Sequence, residues 1–176
     1  MNTNKSEHQQ LVEELLRGIG HPLPETPQVT DDDRLVLYAR LLIEEAMEFL
    51  EAAGVELHIN TYGKYRINDV TSHRGPIHFK DMEFVKSYPG GDLVGIADGL
   101  GDVMVIAVGG LSLCGIKDIP LLLEIDGNNL LKLKRGHKDP KTGKFIKPKD
   151  HPRPNIEEML KQLGWEGANE EVHVSS

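Results

Sequence analysis

Two groups of carboxylates in this sequence could do chemistry together: Glu44, Glu45 and Glu48, and further along Asp98 and Asp102. Helical spacings of three and four residues put side chains on one face, so Glu44 and Glu45 each share a face with Glu48, and Asp98 shares one with Asp102. The glutamates alone are a weak signal, because Glu is a common surface residue of helices and a solvated acidic face needs no ligand. Their surroundings change the reading. Leu41 and Tyr38 precede Glu45 on its own side, and Leu42, Ile43, Ala46, Met47, Phe49 and Leu50 fill most of the remaining circumference. A helix apolar nearly all round is expected to be buried, where unpaired charge is expensive.

The aspartates carry more weight, since they are the only charged residues between Leu93 and Cys114. Two aspartates on a buried helix need cationic partners, which are either Lys and Arg in buried ion pairs or a metal ion. Gly95, Gly99, Gly101, Gly109 and Gly110 lie in the same segment. Each costs about 1 kcal/mol of helix propensity relative to Ala, and close helix packing or room for a ligand would account for them. Three glutamates and two aspartates form an oxygen-only donor set, which suits the hard cations Mg²⁺ or Mn²⁺. Di-iron bundles use Glu-x-x-His instead, and neither acidic segment carries it. An ion held by oxygens and water suits phosphate chemistry, where it bridges phosphate oxygens and activates a water.

A basic stretch follows the acids. Asn128-Asn129-Leu130-Leu131-Lys132-Leu133-Lys134-Arg135 leads into Lys138, Lys141, Lys144, Lys147, Lys149 and Arg153. Asn129 and Lys132 are three apart near the end of an apolar helix and point the same way. The later lysines read equally well as a solvated loop. With Lys134 and Arg135, the Asn129–Lys132 pair is the candidate for holding a polyphosphate.

The elements that must position these groups are mostly helices. Ser6 reads as an N-cap with Gln9 at the capping-box position, ahead of a helix ending at Gly18 and Gly20. Residues 21–27 form a proline-rich connector. Thr30 is expected to cap a second helix running to Ala53, with Asp31, Asp32 and Asp33 in the first turn, where the dipole favours anions. Capping explains this triplet better than a metal site does. Residues 55–91 read as an irregular insertion or two-stranded ribbon, with β-type runs at Tyr62–Ile67 and Ile77–Val85. A third helix is expected over Leu93–Leu113, stopped by Gly115. A fourth is expected to be capped by Asp118, with Pro120 in its first turn, and to reach Leu133. Asp139-Pro-Lys-Thr-Gly143-Lys144 reads as a turn between short extended pieces. Asn155 is expected to cap a last helix to Leu163, before a polar, fraying tail.

With 176 residues the chain fits one domain with a real core. Its net charge of -8 argues against coating a nucleic-acid polymer. The lone Cys114 sits in an apolar run and excludes an internal disulfide and a cysteine zinc site. A reducing cytoplasm is the expected compartment, since the polar N-terminus does not read as a signal peptide. Leu93–Ile116 is long enough to span a bilayer, but each aspartate would cost roughly 2.5–3.5 kcal/mol there, so a helix buried in a soluble bundle is expected.

The ordered set Glu44-Glu45-x-x-Glu48, then Asp98-Gly-Leu-Gly-Asp102, resembles the all-α nucleotide pyrophosphohydrolases, a superfamily that includes MazG, the dimeric dUTPases and phosphoribosyl-ATP pyrophosphohydrolase. It is similar in particular to the MazG-like, phosphoribosyl-ATP-pyrophosphohydrolase-like branch. The connector His21–Pro27, the stretch Glu124-Ile-Asp-Gly-Asn128-Asn129-Leu-Leu-Lys132 and the closure His151-Pro-Arg-Pro-Asn155 support this. The resemblance covers roughly residues 10–54 and 92–162. It implies an all-α bundle of four to five helices with the insertion at 55–91, and Mg²⁺-dependent hydrolysis of a nucleoside triphosphate to monophosphate and pyrophosphate. It also implies a homodimer or homotetramer. Carried over by position, Glu45, Glu48 and Asp102 are metal ligands, Glu44 is a ligand or base, and Asn129 and Lys132 hold substrate. Phosphoribosyl-ATP as the substrate and a non-catalytic nucleotide- or metal-binding protein are the alternatives. The chain departs from the usual Glu-x-x-Asp second motif: Gly99 stands three residues before Asp102, and the acid is at Asp98.

Overall fold

The computed structural model describes residues 4–59 and 82–167. The described residues form five α-helices and two small two-stranded ribbons, as the helical periodicity and the β-type insertion predict. The chain divides into two compact units, one made of Met1–Val36 with Ala107–Ser176 and the other of Leu37–Ile106.

In the first unit, α1 (Glu7–Gly18) starts at Ser6, whose hydroxyl accepts from the Gln9 N–H at 3.0 Å. The expected capping box does not close, because Gln9 does not turn back toward Ser6. Its side chain is fully buried. It donates to the Ser112 hydroxyl at 3.1 Å and the Ile116 carbonyl at 2.9 Å, and accepts from the Asp118 N–H at 2.9 Å. The free Ser6 N–H donates instead to the buried Asp118 carboxylate at 2.9 Å, and the Ser6 hydroxyl donates to the same group. Asp118 is therefore not the N-cap of α4 (Asp118–Leu131); Lys117 takes that position, and Asp118 is committed to α1. Val12, Leu16, Leu113 and Met159 form the buried apolar core, and buried Glu13 is paired with Lys5 at 2.6 Å and Arg17 at 2.9 Å.

Replacing Gln9 by Ala would strand three partners at once, two of them buried. At about 1–3 kcal/mol for a buried polar group left unsatisfied, Gln9→Ala is expected to lower stability by about 3 kcal/mol. A urea titration followed by circular dichroism checks this.

The α4 helix stops at Leu131, two residues earlier than the periodicity suggests, and a 3₁₀ turn over Lys132–Lys134 follows. β3 (His137–Lys138) and β4 (Phe145–Ile146) pair antiparallel. The turn between them is the expected one: the Asp139 carboxylate accepts from the Lys141 N–H and the Thr142 hydroxyl, each at 2.9 Å. Those bonds hold its pKa below the ordinary Asp value. α5 (Ile156–Gln162) follows Asn155, whose N–H donates to Glu124 at 2.5 Å. The proline-rich closure is held by α4, with Asn128 donating to the Pro152 carbonyl at 3.0 Å.

The second unit contains most of α2 (Asp32–Ala52) and the first part of α3 (Leu93–Leu113). The cap of α2 is Asp31, not Thr30: its carboxylate accepts from the Arg34 N–H at 2.9 Å. Between the helices, β1 (Val55–Ile59) pairs antiparallel with β2 (Met82–Lys86), with Val55 opposite Lys86 and Ile59 opposite Met82. β2 overlaps the expected run Ile77–Val85, whereas Tyr62–Ile67 lies outside the described residues. Gly54 makes the sharp exit from α2 with φ +65°.

The expected burial of the two acidic helices is not what the chain shows. No residue of α2 is buried. α3 is long and apolar enough to cross a membrane by length and composition, yet only 11% of its most apolar window is buried. Leu93, Val94 and Met104 are 78%, 78% and 59% exposed. Leu93, Ala97, Leu100 and Met104 follow at steps of four, three and four and make one apolar stripe. An apolar circumference signals that something must cover a helix, and among the described residues the chain does not cover this one.

Candidate functional site

The acids stand on two helices that meet through glycine. A Cβ at Gly99 would lie 3.0 Å from the Phe49 backbone nitrogen and 3.1 Å from its Cα, and one at Gly95 would lie 3.0 Å from the Ala52 Cβ. Gly99 thus lets α3 press on the backbone of α2 one residue after Glu48. This accounts for the displaced acid: a side chain three residues before Asp102 would have to grow into Phe49, so the carboxylate sits at Asp98, one position round the helix.

Overpacking by a methyl group costs about 1–3 kcal/mol, and the helix propensity of Ala returns about 1 kcal/mol. Gly99→Ala is therefore expected to be destabilising by about 1 kcal/mol, on the same sums. Gly101→Ala, where a Cβ meets nothing within 4 Å, is expected to be neutral or stabilising. Paired urea titrations separate the two.

Glu44, Glu48, Asp98 and Asp102 are exposed and Glu45 is half-buried. Desolvation raises the pKa of Glu45, and the charges of Glu48, Asp102, Glu44 and Asp98, in that order, push it the same way. The five carboxylates therefore form one electrostatic cluster around Glu45. Among the described residues none of the five takes an ion pair from Lys or Arg, so the alternative of internal salt bridges is not realised there. Also among the described residues, no three His, Cys, Asp or Glu side chains already stand close enough together to hold a metal ion. The donor set, all carboxylate and without a protein cation, fits a hard divalent ion in its chemistry.

The basic candidates lie in the other unit. Lys132 donates to the Asn129 side-chain oxygen, joining the pair as their spacing suggests. Arg135 donates to Asp150 at 2.7 Å, which holds the Asp150 carboxyl below its ordinary range. Lys134 is exposed. Cys114 is half-buried.

A cavity of about 790 Å³ opens beside α2, bounded by Glu44 and Glu48 on one side and by Leu57, His58 and Tyr88 of the ribbon and the turn after it on the other. Nothing in the spacing of these residues announces it, because the pairing of β1 with β2 is what assembles its wall.

A family model described as phosphoribosyl-ATP pyrophosphohydrolase matches residues 12–129 of this chain. The match takes in all five carboxylates and Asn129, while Lys132, Lys134 and Arg135 follow it. No curated protein matches the chain.

Proposed function

This chain belongs to the phosphoribosyl-ATP pyrophosphohydrolase family, and from that premise we propose that it hydrolyses a nucleoside triphosphate between the α and β phosphorus, yielding the monophosphate and pyrophosphate. The observation that carries the proposal is the set of five carboxylates on α2 and α3, two helices that meet at Gly99 and Phe49, with no Lys or Arg paired to any of the five among the described residues. Glu45, Glu48, Asp98 and Asp102 would hold Mg²⁺, or Mn²⁺ in its place. When bound there, such an ion neutralises phosphate charge and lowers the pKa of a bound water. Glu44, beside Glu45 and Glu48, which help to orient the attacking water, would accept its proton. The water oxygen joins phosphorus as the anhydride bond breaks, and the bridging oxygen leaves with its phosphoryl group. Asn129, Lys132, Lys134 and Arg135 are assigned to the polyphosphate, whose charge an ion alone does not neutralise.

A second substrate reading, phosphoribosyl-ATP, is favoured by the family match itself. We assign the protein to the cytoplasm, without membrane or nucleic-acid partners, and place a second copy of the chain against the uncovered apolar stripe of α3, giving a homodimer or a pair of dimers.

A panel of NTPs, dNTPs and phosphoribosyl-ATP with Mg²⁺, with products separated, tests the reading. Pyrophosphate from at least one substrate is expected. Orthophosphate as the sole product, or no turnover of any substrate, overturns it. Binding without product release would identify a nucleotide-binding protein instead.

A further inference from the structure

The cavity beside α2 shares Glu44 and Glu48 with the acid cluster, and its remaining wall has a different chemistry. Met47, Leu50, Val55 and Leu57 supply an apolar surface, and Glu51 and Glu56 add carboxylates, one oxygen of Glu56 lying 3.1 Å from the His58 ring nitrogen. Among the described residues no Lys or Arg lines it. Lys86, nearby on β2, donates to the Ala53 and Gly90 carbonyls and stands 5.7 Å over the Tyr88 ring. The described wall repels a bare phosphate, at the Glu44–Glu48 edge as elsewhere unless a cation stands there. What fits the rest is a neutral group with flat apolar faces and hydrogen-bond donors on its rim, because a carboxylate only accepts. At about 790 Å³ the cavity lies in the range of small-molecule sites.

The aromatic side of the wall is fixed in place. The Tyr88 hydroxyl donates to the Glu51 carbonyl at 2.8 Å. Gly54 passes so close to the ring that a Cβ there would fall 2.6 Å from its Cε2. The part of the ring that Lys86 leaves open gives a base a preorganised stacking surface.

We infer that this cavity between α2 and the β1–β2 ribbon is the nucleoside subsite, with Tyr88 and Leu57 against the base and Glu51 and Glu56 accepting from a base that bears an amino group. This rests on the proposed triphosphate hydrolysis, since Glu44 and Glu48 then join the nucleoside end to the phosphate end.

The test fills the cavity with Leu57→Trp and removes acceptor-only character with Glu51→Gln. For Leu57→Trp, KM for a cleaved nucleotide is expected to rise about 10-fold with kcat changed less than about 2-fold, the pattern of lost uniform binding. The inhibition constant of inorganic tripolyphosphate, which has no nucleoside, is expected to stay unchanged. For Glu51→Gln, the preference for adenosine or cytidine nucleotides over uridine nucleotides is expected to narrow. A parallel rise in the tripolyphosphate constant, or no change in KM, overturns the inference. If the wild type cleaves nothing, the triphosphate reading fails by itself, and the subsite is judged by NMR titration with adenosine. Shifts at His58 and Tyr88 that vanish in Leu57→Trp uphold it, and their absence from folded wild type overturns it.

Discussion

Glu48→Gln and Asp102→Asn are each expected to lower kcat/KM for pyrophosphate release by about 10²- to 10³-fold, the scale on which loss of one transition-state electrostatic contact is felt. Both replacements keep side-chain shape and remove charge, so the ion that the acids are proposed to hold loses a ligand without a hole being made. Stability is expected to move the other way. Glu48 is the largest of the charges that raise the pKa of Glu45. A carboxyl whose folded pKa is raised is disfavoured when charged: the penalty is absent at low pH, appears as pH climbs from the unfolded value through the folded one, and persists at neutrality. Metal-free Glu48→Gln is thus expected to melt at or above the wild-type Tm at pH 7 and to match it near pH 3. Mg²⁺ is expected to raise the Tm of the wild type more than that of either variant. Activity loss accompanied by a large drop in Tm, or an equal Mg²⁺ effect on all three proteins, would count against the assigned site.

Met104→Glu is expected to convert the proposed dimer into monomers. Met104 is 59% exposed in the single chain and lies on the stripe with Leu93, Ala97 and Leu100. Burying one such side chain contributes about 1.5–3 kcal/mol, and a two-fold interface presents every residue twice. The dissociation constant should therefore rise about 10²- to 10⁴-fold before the cost of a buried Glu is counted. Sedimentation velocity across a concentration series checks this. A wild type monomeric at high concentration, or a variant dimer of unchanged affinity, removes the stripe as the contact.

How far these features could be read from the residues depends on whether each is local. α3 was legible to its ends because a glycine-terminated apolar run defines it, and the acid cluster was legible because two aspartates on such a run require an explanation. The caps were less so. Thr30 and Asp31 are both good caps, and only the Asp31–Arg34 bond decides between them. Asp118 has the composition of a cap, but a partner 112 residues away claims it. The burial of α2 and α3 failed for another reason: periodicity reports that a face is apolar, not whether the same chain covers it. The cavity was invisible because it depends on the register that sets Val55 opposite Lys86.

The Ser6–Asp118 and Gln9–Ser112 bonds also constrain the order in which the molecule can form. They join residues 112 and 103 positions apart, and such closures are among the slowest steps available to a chain of this size. During synthesis α1 emerges long before Ser112 and Asp118 exist, so its buried glutamine has no native partner until the stretch bearing all five acids has left the ribosome. The acidic helices can be in place before the first unit closes, and a truncation before residue 112 would leave α1 with polar groups that the native fold buries and pairs.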